Sequence, residues 1–336
     1  MKAMSSPDAS STSPTSEPDA PIFSARNLAI SISGREVVSD VSFDVRAGEC
    51  VGLVGESGSG KSVTCRALLG LLPYIDAEIT RGELLFEGTS VTAATEAEWR
   101  GLRGKTVSLV PQASLAALDP VMRIGSQLRE TINLHDKEAD SKGRARELLE
   151  LVRINDPDKV LKAYPHQLSG GMRQRVMIAL AVAARPRVLI ADEPTTALDV
   201  TVQRAILSLL DDLRREAQLA LVLVSHDLRI IRSMANQVTV MYGGIGVEQG
   251  PCERTLSEPR HPYTRALMDA DLVDVEPGER FAALSGSPPD PSAWPSGCRF
   301  EPRCPHATPR CGERVPPVED DGDRRVACIR WRELSL

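Results

Sequence analysis

The sequence predicts an α/β fold organised on a parallel sheet, and three observations predict it. Short, almost wholly apolar runs recur as "CVGLVG" (50–55), "RVLIAD" (187–192) and "LALVLVS" (219–225), brief enough to be strands covered on both faces. Stretches of helical apolar spacing separate them, the alternation that builds a parallel sheet. The first run also feeds a glycine-rich turn, "GESGSGKS" (55–62), that opens a helix.

The elements follow in chain order. The opening "MKAMSSPDASSTSPTSEPDA" is rich in Ser, Pro and Asp and has no apolar core, so 1–21 reads as a disordered tail rather than a secretory signal. "FSARNLAISIS", "VSFDVRAGE" and "GELLFEG" are extended, turn-bounded patterns suited to an antiparallel sheet beside the core. The reading is mostly helical between about 115 and 185. After about residue 250 prolines accumulate, and "SGSPPDPSAWPSG" (285–297) separates the core from a cysteine-bearing end. A core over 22–255 and an extension over 256–336 are the expected division.

Composition narrows the function. With 336 residues, 42% hydrophobic and 26% charged, the chain has the balance of a soluble protein with a large core. A net charge of −6 and an aromatic content of 4% provide neither a basic footprint nor base-stacking platforms, so no nucleic-acid partner is expected. The longest strongly apolar run, "VMIALAVAA" (176–184), falls far short of the roughly 20 residues that span a bilayer. The chain is expected in the cytoplasm, touching membrane only through other subunits.

"GESGSGKS" matches G-x-x-x-x-G-K-[ST] in its required strand–loop–helix setting. Gly55, Glu56, Ser57, Gly58, Ser59, Gly60, Lys61, Ser62 and Val63 are therefore the candidate nucleotide-binding residues. Backbone N–H groups would wrap the phosphates, Lys61 would reach the outer ones and Ser62 would hold Mg2+. "VLIADEP" (188–194) ends a strand in two carboxylates, placing Asp192 to bind the metal and Glu193 to deprotonate the attacking water. His226 in "VLVSHD" follows another apolar strand, at the same sheet edge, within reach of a terminal phosphate. A lone strand-end histidine is more often structural, and Gln112 after "VSLVP" is equally ambiguous on its own.

"LSGGMRQR" (168–175) poses a different problem. Ser169 is a good N-cap and Gly170 and Gly171 let a ligand approach, so N–H groups and the helix dipole face an anion. No lysine is there to neutralise it.

Together "GESGSGKS", "LSGGMRQR", "VLIADEP", "ALDV" and "SHD" occur in the order and spacing of ATP-binding cassette (ABC) ATPases, which the chain resembles over about residues 22 to 255. The resemblance implies an ABC ATPase core with an antiparallel β subdomain and a helical signature subdomain, acting as an ATP sandwich dimer. Ser169, Gly170 and Gly171 of one subunit would close over ATP held by the partner's loop. Gln112 would link metal and nucleotide to transmembrane subunits, Asp199 would cross the dimer interface and His226 would be the switch histidine. This chain departs from the family at the loop before the second strand, where an aromatic commonly stacks on adenine. "ISISGREV" offers only Ile32 or Ser33, so GTP is expected to substitute partly for ATP.

"LDPVMRIGSQL", "YPHQLSGGMRQRVMIALAVAARP", "DEPTTALDVTVQ" and "HPYTRALM" resemble the oligopeptide and dipeptide importer ATPases, including relatives that import nickel. The implied setting is the cytoplasmic face of the cell membrane, beneath two permease subunits, beside a second and different ATPase, with an external substrate-binding protein. A soluble ABC ATPase acting on nucleic acid or ribosomes is the contrasting reading. Such proteins usually carry two cassettes or long helical insertions, and neither is present.

Four of the seven cysteines, Cys298, Cys304, Cys311 and Cys328, fall within 31 residues of the proline-rich end, which promises little core of its own. Five, six and sixteen residues separate them, unlike paired C-x-x-C zinc sites, and a cytoplasmic chain argues against stable disulfides. In some members of the resembled subfamily this tail is associated with an iron–sulfur cluster, and four thiolates suit one. Zinc, free thiols and His306 as a substitute ligand are the alternatives. Cys50, Cys65 and Cys252 read as small buried residues.

Overall fold

The computed structural model describes residues 20–112, 117–196, 198–270, 284 and 286–336; the predicted tail lies outside them except for residues 20 and 21. Strands β1 (Phe23–Ile32) and β2 (Arg35–Val45) form an antiparallel hairpin. Its two-residue loop, Ser33 and Gly34, has φ of 49° and 76°, the double positive-φ turn whose twist matches that of paired strands. Next come β3 (Cys50–Val54), α1 (Lys61–Ala67), β4 (Ala77–Phe86), β5 (Thr89–Ser90), α2 (Glu96–Leu102) and β6 (Val107–Val110). The predicted helical stretch contains α3 (Ile124–His135), α4 (Ser141–Leu151), α5 (Pro157–Lys162) and α6 (Gly170–Val182). It is followed by β7 (Val188–Asp192), α7 (Val200–Glu216), β8 (Ala220–Val224), α8 (Leu228–Met234), β9 (Gln237–Tyr242) and β10 (Ile245–Pro251).

Hydrogen bonding orders these strands β5-β4-β1-β2-β10-β9-β3-β8-β7-β6. The stretch from β6 through β7, β8 and β3 to β9 is parallel, and β1 pairs antiparallel with β2 and β4. The apolar strands alternate between two cores, as period-two geometry requires. Val51, Leu53, Val188, Ile190, Val222 and Val224 face the antiparallel-sheet side, where they meet Leu68 and Phe43. Cys50, Val54, Leu189, Ala191, Leu221 and Leu223 face the helical side, with Leu128, Leu148 and Ile178. β3, the central strand, ends at the glycine loop, so the loop is set by the most buried part of the sheet.

The end of the chain is better anchored than its composition suggests. α9 (Cys252–Ser257) and α10 (Pro262–Ala270) lead to β11 (Glu319–Asp321) and β12 (Arg324–Val326), and β12 adds to β10 through Glu248↔Val326 and Gln249↔Arg325. Phe300 is buried in the helical-side core, edge-on to Tyr242 and Tyr263 with ring centroids 5.1 and 5.4 Å away. The extension therefore borrows core from the domain that precedes it. Local composition underestimates burial when the buried surface comes from elsewhere in the chain.

Candidate functional site

The loop after β3 cannot be built from ordinary residues. Gly55 has φ of 148° and an added Cβ would lie 2.1 Å from the Met241 carbonyl oxygen; Gly60, the residue before α1, has φ of 101°. Only glycine meets both demands. Lys61 is buried and turns its Nζ back into the loop, donating to Gly55 O at 2.6 Å, Glu56 O at 2.9 Å and Ser59 Oγ at 3.3 Å. Burial pulls its pKa down, while Glu193 and Asp192 pull it back up. Ser57, Gly58 and Ser62 are exposed at the mouth of the loop, Ser59 is buried and Val63 is half-buried.

At the end of β7, Asp192 accepts a hydrogen bond from Ser62, and burial and then Glu193 push its carboxyl above the usual range. Two adjacent carboxylates with one lysine leave the site short of positive charge. A hard divalent cation between Asp192, Ser62 and phosphate oxygens fits that donor set. Glu193 has φ of 46°, a backbone conformation that costs a non-glycine residue about 1 kcal/mol. It is held there because its N–H donates to Val224 O at 3.1 Å and its carbonyl accepts Thr196 N–H at 3.2 Å. Its carboxylate is held as firmly. Gln112 Nε2 and Thr196 Oγ1 both donate to Oε2, at 2.7 and 2.9 Å, and His226 Nδ1 lies 3.3 Å from Oε1. Lys61, Ser62, Asp192, Glu193, Gln112 and His226 thus converge on one sheet edge from four strand ends. Sequence reasoning missed Thr196, whose signal was its place three residues after the carboxylate.

Ser169, Gly170, Gly171 and Asp199 form a second group. Ser169 caps α6 by accepting Met172 N–H at 3.3 Å, and Asp199 caps α7 by accepting Val202 N–H at 2.9 Å. A Cβ on Gly171 would meet Val202 at 2.6 Å and one on Gly170 would meet Leu198 at 3.4 Å. The glycines therefore keep the start of α6 tight against the start of α7, and the free N–H groups of α6 belong to this second group rather than to the Lys61 loop.

The extension reaches the loop directly. Tyr263 Oη accepts Glu56 N–H at 2.9 Å, and Arg303 makes a two-pronged bond to the Glu56 carboxylate at 2.6 and 3.1 Å. Neither residue was foreseen; both lie more than 200 positions from Glu56. One residue further on, Cys304 joins Cys298, Cys311 and Cys328 in lining one small cavity of about 20 Å³, with His261, Phe300 and His306. Backbone N–H groups of Phe300, His306 and Arg330 donate to the sulfurs of Cys298, Cys304 and Cys328, while burial pushes the Cys298 thiol up to about 11. Thr308 Oγ1 lies 3.5 Å from Cys311 Sγ. Among the described residues no set of three or more His, Cys, Asp or Glu side chains is closed up to metal-binding distance. Cys50, Cys65 and Cys252 are buried, as expected. In the loop before β2, Ser33 donates to Asp76; Trp294 of the extension sits near Gly244, with its ring under the Arg299 guanidinium at 3.1 Å.

Known proteins resemble this chain in sequence and in fold. The ABC transporter family profile matches residues 38–196, and the oligopeptide/dipeptide transporter C-terminal region matches 247–311. The dipeptide transport ATP-binding protein DppD of Escherichia coli K12 is 44% identical over 290 residues, 86% of this chain and 88% of its own length. The oligopeptide transport ATP-binding protein OppD of the same strain is 42% identical, over 89% of each chain. The dimeric post-hydrolysis structure of the ATP-binding cassette MJ0796, bound to ADP and Pi, superposes with a TM-score of 0.61 at 25% identity, covering 68% of this chain and 98% of that one.

Proposed function

The chain belongs to the ABC transporter ATP-binding family, and from that premise we infer that it is the ATP-hydrolysing subunit of a peptide importer, working at the cytoplasmic face of the membrane with permease partners. The observation that carries the chemistry is the carboxylate of Glu193, fixed by Gln112, Thr196 and His226 at the edge where the Lys61 loop opens. The observation that carries the cargo class is the match of the extension to the oligopeptide/dipeptide transporter C-terminal region. Among the described residues no helix is long and apolar enough to cross a membrane.

In this reading the loop's N–H groups and Lys61 Nζ hold the phosphates, the lysine exchanging its bonds to Gly55 and Glu56 carbonyls for phosphate oxygens. Ser62, Asp192 and Gln112 would hold Mg2+, which would supply positive charge against the phosphates. Because Oε2 of Glu193 already accepts two hydrogen bonds, Oε1 is the oxygen that takes the proton of the attacking water, with His226 beside it. Ser169, Gly170 and Gly171 complete the nucleotide site of a second, different ATPase, and Asp199 lies at that interface. GTP substitutes partly for ATP, since neither Ile32 nor Ser33 can stack on a base.

The four cysteines hold an iron–sulfur cluster. Their convergence on one cavity supports ligation by four sulfurs; burial raises the Cys298, Cys304 and Cys328 thiols, and the N–H donors aimed at these three sulfurs offset part of that rise. One preparation tests both parts of this proposal. Tagged chain is taken anaerobically from gently solubilised membranes, co-purifying chains are identified, and iron, sulfide and zinc are measured. Two permeases, a second cassette and a peptide-type binding protein are expected, with iron and sulfide. Ribosomal or nucleic-acid partners without permeases would overturn the importer, and zinc near one per chain without sulfide would overturn the cluster.

A further inference from the structure

The phosphate loop contains an unexpected charge. Glu56, its second residue, points a carboxylate from a loop whose task is to attract phosphate, and its carbonyl accepts the Lys61 ammonium at 2.9 Å. Unneutralised, that carboxylate would repel the ligand and compete for the lysine. It is neutralised from the far end of the chain. Arg303, whose side chain is 5% exposed, forks onto both carboxylate oxygens at 2.6 and 3.1 Å, and the same guanidinium donates to Tyr242 Oη at 3.2 Å and Leu284 O at 3.4 Å. Tyr263 Oη meanwhile accepts the Glu56 backbone N–H. Tyr242, Tyr263 and Phe300 pack ring to ring behind the pair, so Glu56 is held at both its backbone and its carboxylate by a rigid aromatic block. A paired fork of this kind fixes direction as well as charge.

We propose that Arg303 is a positioning residue for the phosphate loop: by neutralising and aiming Glu56 it sets the loop's affinity for ATP, and so makes nucleotide binding depend on a correctly docked C-terminal extension. The inference rests on the reading of the loop as an ATP site. Its consequence is a mechanical link between the cysteine cavity and the nucleotide, since Cys304 is the next residue after Arg303 and lines that cavity.

The test uses the full-length chain, with ATP as the probe, and compares wild type, Arg303→Gln, Arg303→Lys, Glu56→Gln and the Arg303→Gln/Glu56→Gln double variant for ATP affinity and thermal midpoint in the isolated chain and for KM and kcat in the assembly with its partner cassette. Removing one partner leaves the other charge half-buried and uncompensated, so Arg303→Gln is expected to raise KM about tenfold while kcat falls less than about threefold. Arg303→Lys keeps the charge without the fork and falls between. The double variant removes the stranded carboxylate and is expected to return KM to within about threefold of wild type, a rescue that lost anchoring alone would not produce. If Arg303→Gln does not fold, Arg303→Lys decides: it must raise KM by more than about twofold, and a folded Arg303→Lys with wild-type KM overturns the proposal. A KM within about twofold of wild type for a folded Arg303→Gln, or a double variant no better than that single one, overturns the proposal. A wild-type chain that binds no ATP overturns the site reading as well, which separates the two failures.

Discussion

At the scale of single residues, Glu193 concentrates the chemistry. Two donors and a histidine nitrogen from three segments meet one carboxylate, and the backbone beneath it is held at a φ of 46°. The site thus tolerates strain to keep one oxygen available. A glutamine there preserves shape and can still accept from Gln112, yet it cannot take a proton. Glu193→Gln is therefore expected to bind ATP within about threefold of wild type while turnover falls by at least about 100-fold, the usual worth of a general base. Wild-type-like turnover in that variant would remove Glu193 from the role. Which side chains reach this edge was legible in the sequence because each follows an apolar strand: Lys61 after "CVGLVG", Glu193 after "VLIAD", His226 after "LVLVS". That Gln112 and His226 would both meet Glu193 was not, because a strand end fixes where a residue emerges and not which neighbour its side chain selects.

At the scale of elements, apolar runs located β3, β7 and β8, and their alternating burial explains why so few residues suffice. The extension was less legible, since what it buries is supplied from far away in the chain. His261 shows this well. It is buried, its Nδ1 accepts the Tyr263 N–H at 3.0 Å, and its ring faces Phe300 at 6.0 Å. Burial lowers its pKa from 6.5 to about 3. In that window the unfolded chain binds a proton that the folded chain refuses, so stability is full above pH 6.5 and falls as pH drops towards 3. Buried Glu248, which accepts the His261 and Arg260 backbone N–H groups, has its carboxyl raised by burial and contributes with the opposite sign just above 4.5. The histidine's share is isolated by comparing wild type with His261→Gln in chemical denaturation at pH 7.5 and pH 5. Wild type is expected to lose about 2 kcal/mol more than the variant over that interval. Equal losses would mean that His261 titrates normally and that the joint between α10 and Phe300 is open to water.

At the scale of the whole molecule, the chain carries two half-sites. One is the Lys61 loop with its carboxylates; the other is the start of α6, where Ser169 spends its hydroxyl on its own helix and Gly171 packs on Val202. Free N–H groups at a helix start attract an anion, and the Ser169 hydroxyl is spent on Met172 N–H. In the proposed reading, a molecule with a phosphate holder at one place and a phosphate-seeking helix at another would be completed by a second cassette placed head to tail, each helix closing over the other's nucleotide. Ser169→Arg separates this arrangement from a self-contained site. The isolated variant is expected to bind ATP like wild type, because its own loop is intact, at a cost of about 1 kcal/mol in helix capping. Assembled with its partner cassette, its turnover is expected to fall at least about tenfold, since a bulky side chain then intrudes on the partner's phosphates. Loss of ATP affinity in the isolated chain would mean instead that Ser169 serves the nucleotide of its own loop. In that case a single cassette would carry a complete site, and dimerisation would serve the permeases rather than the chemistry.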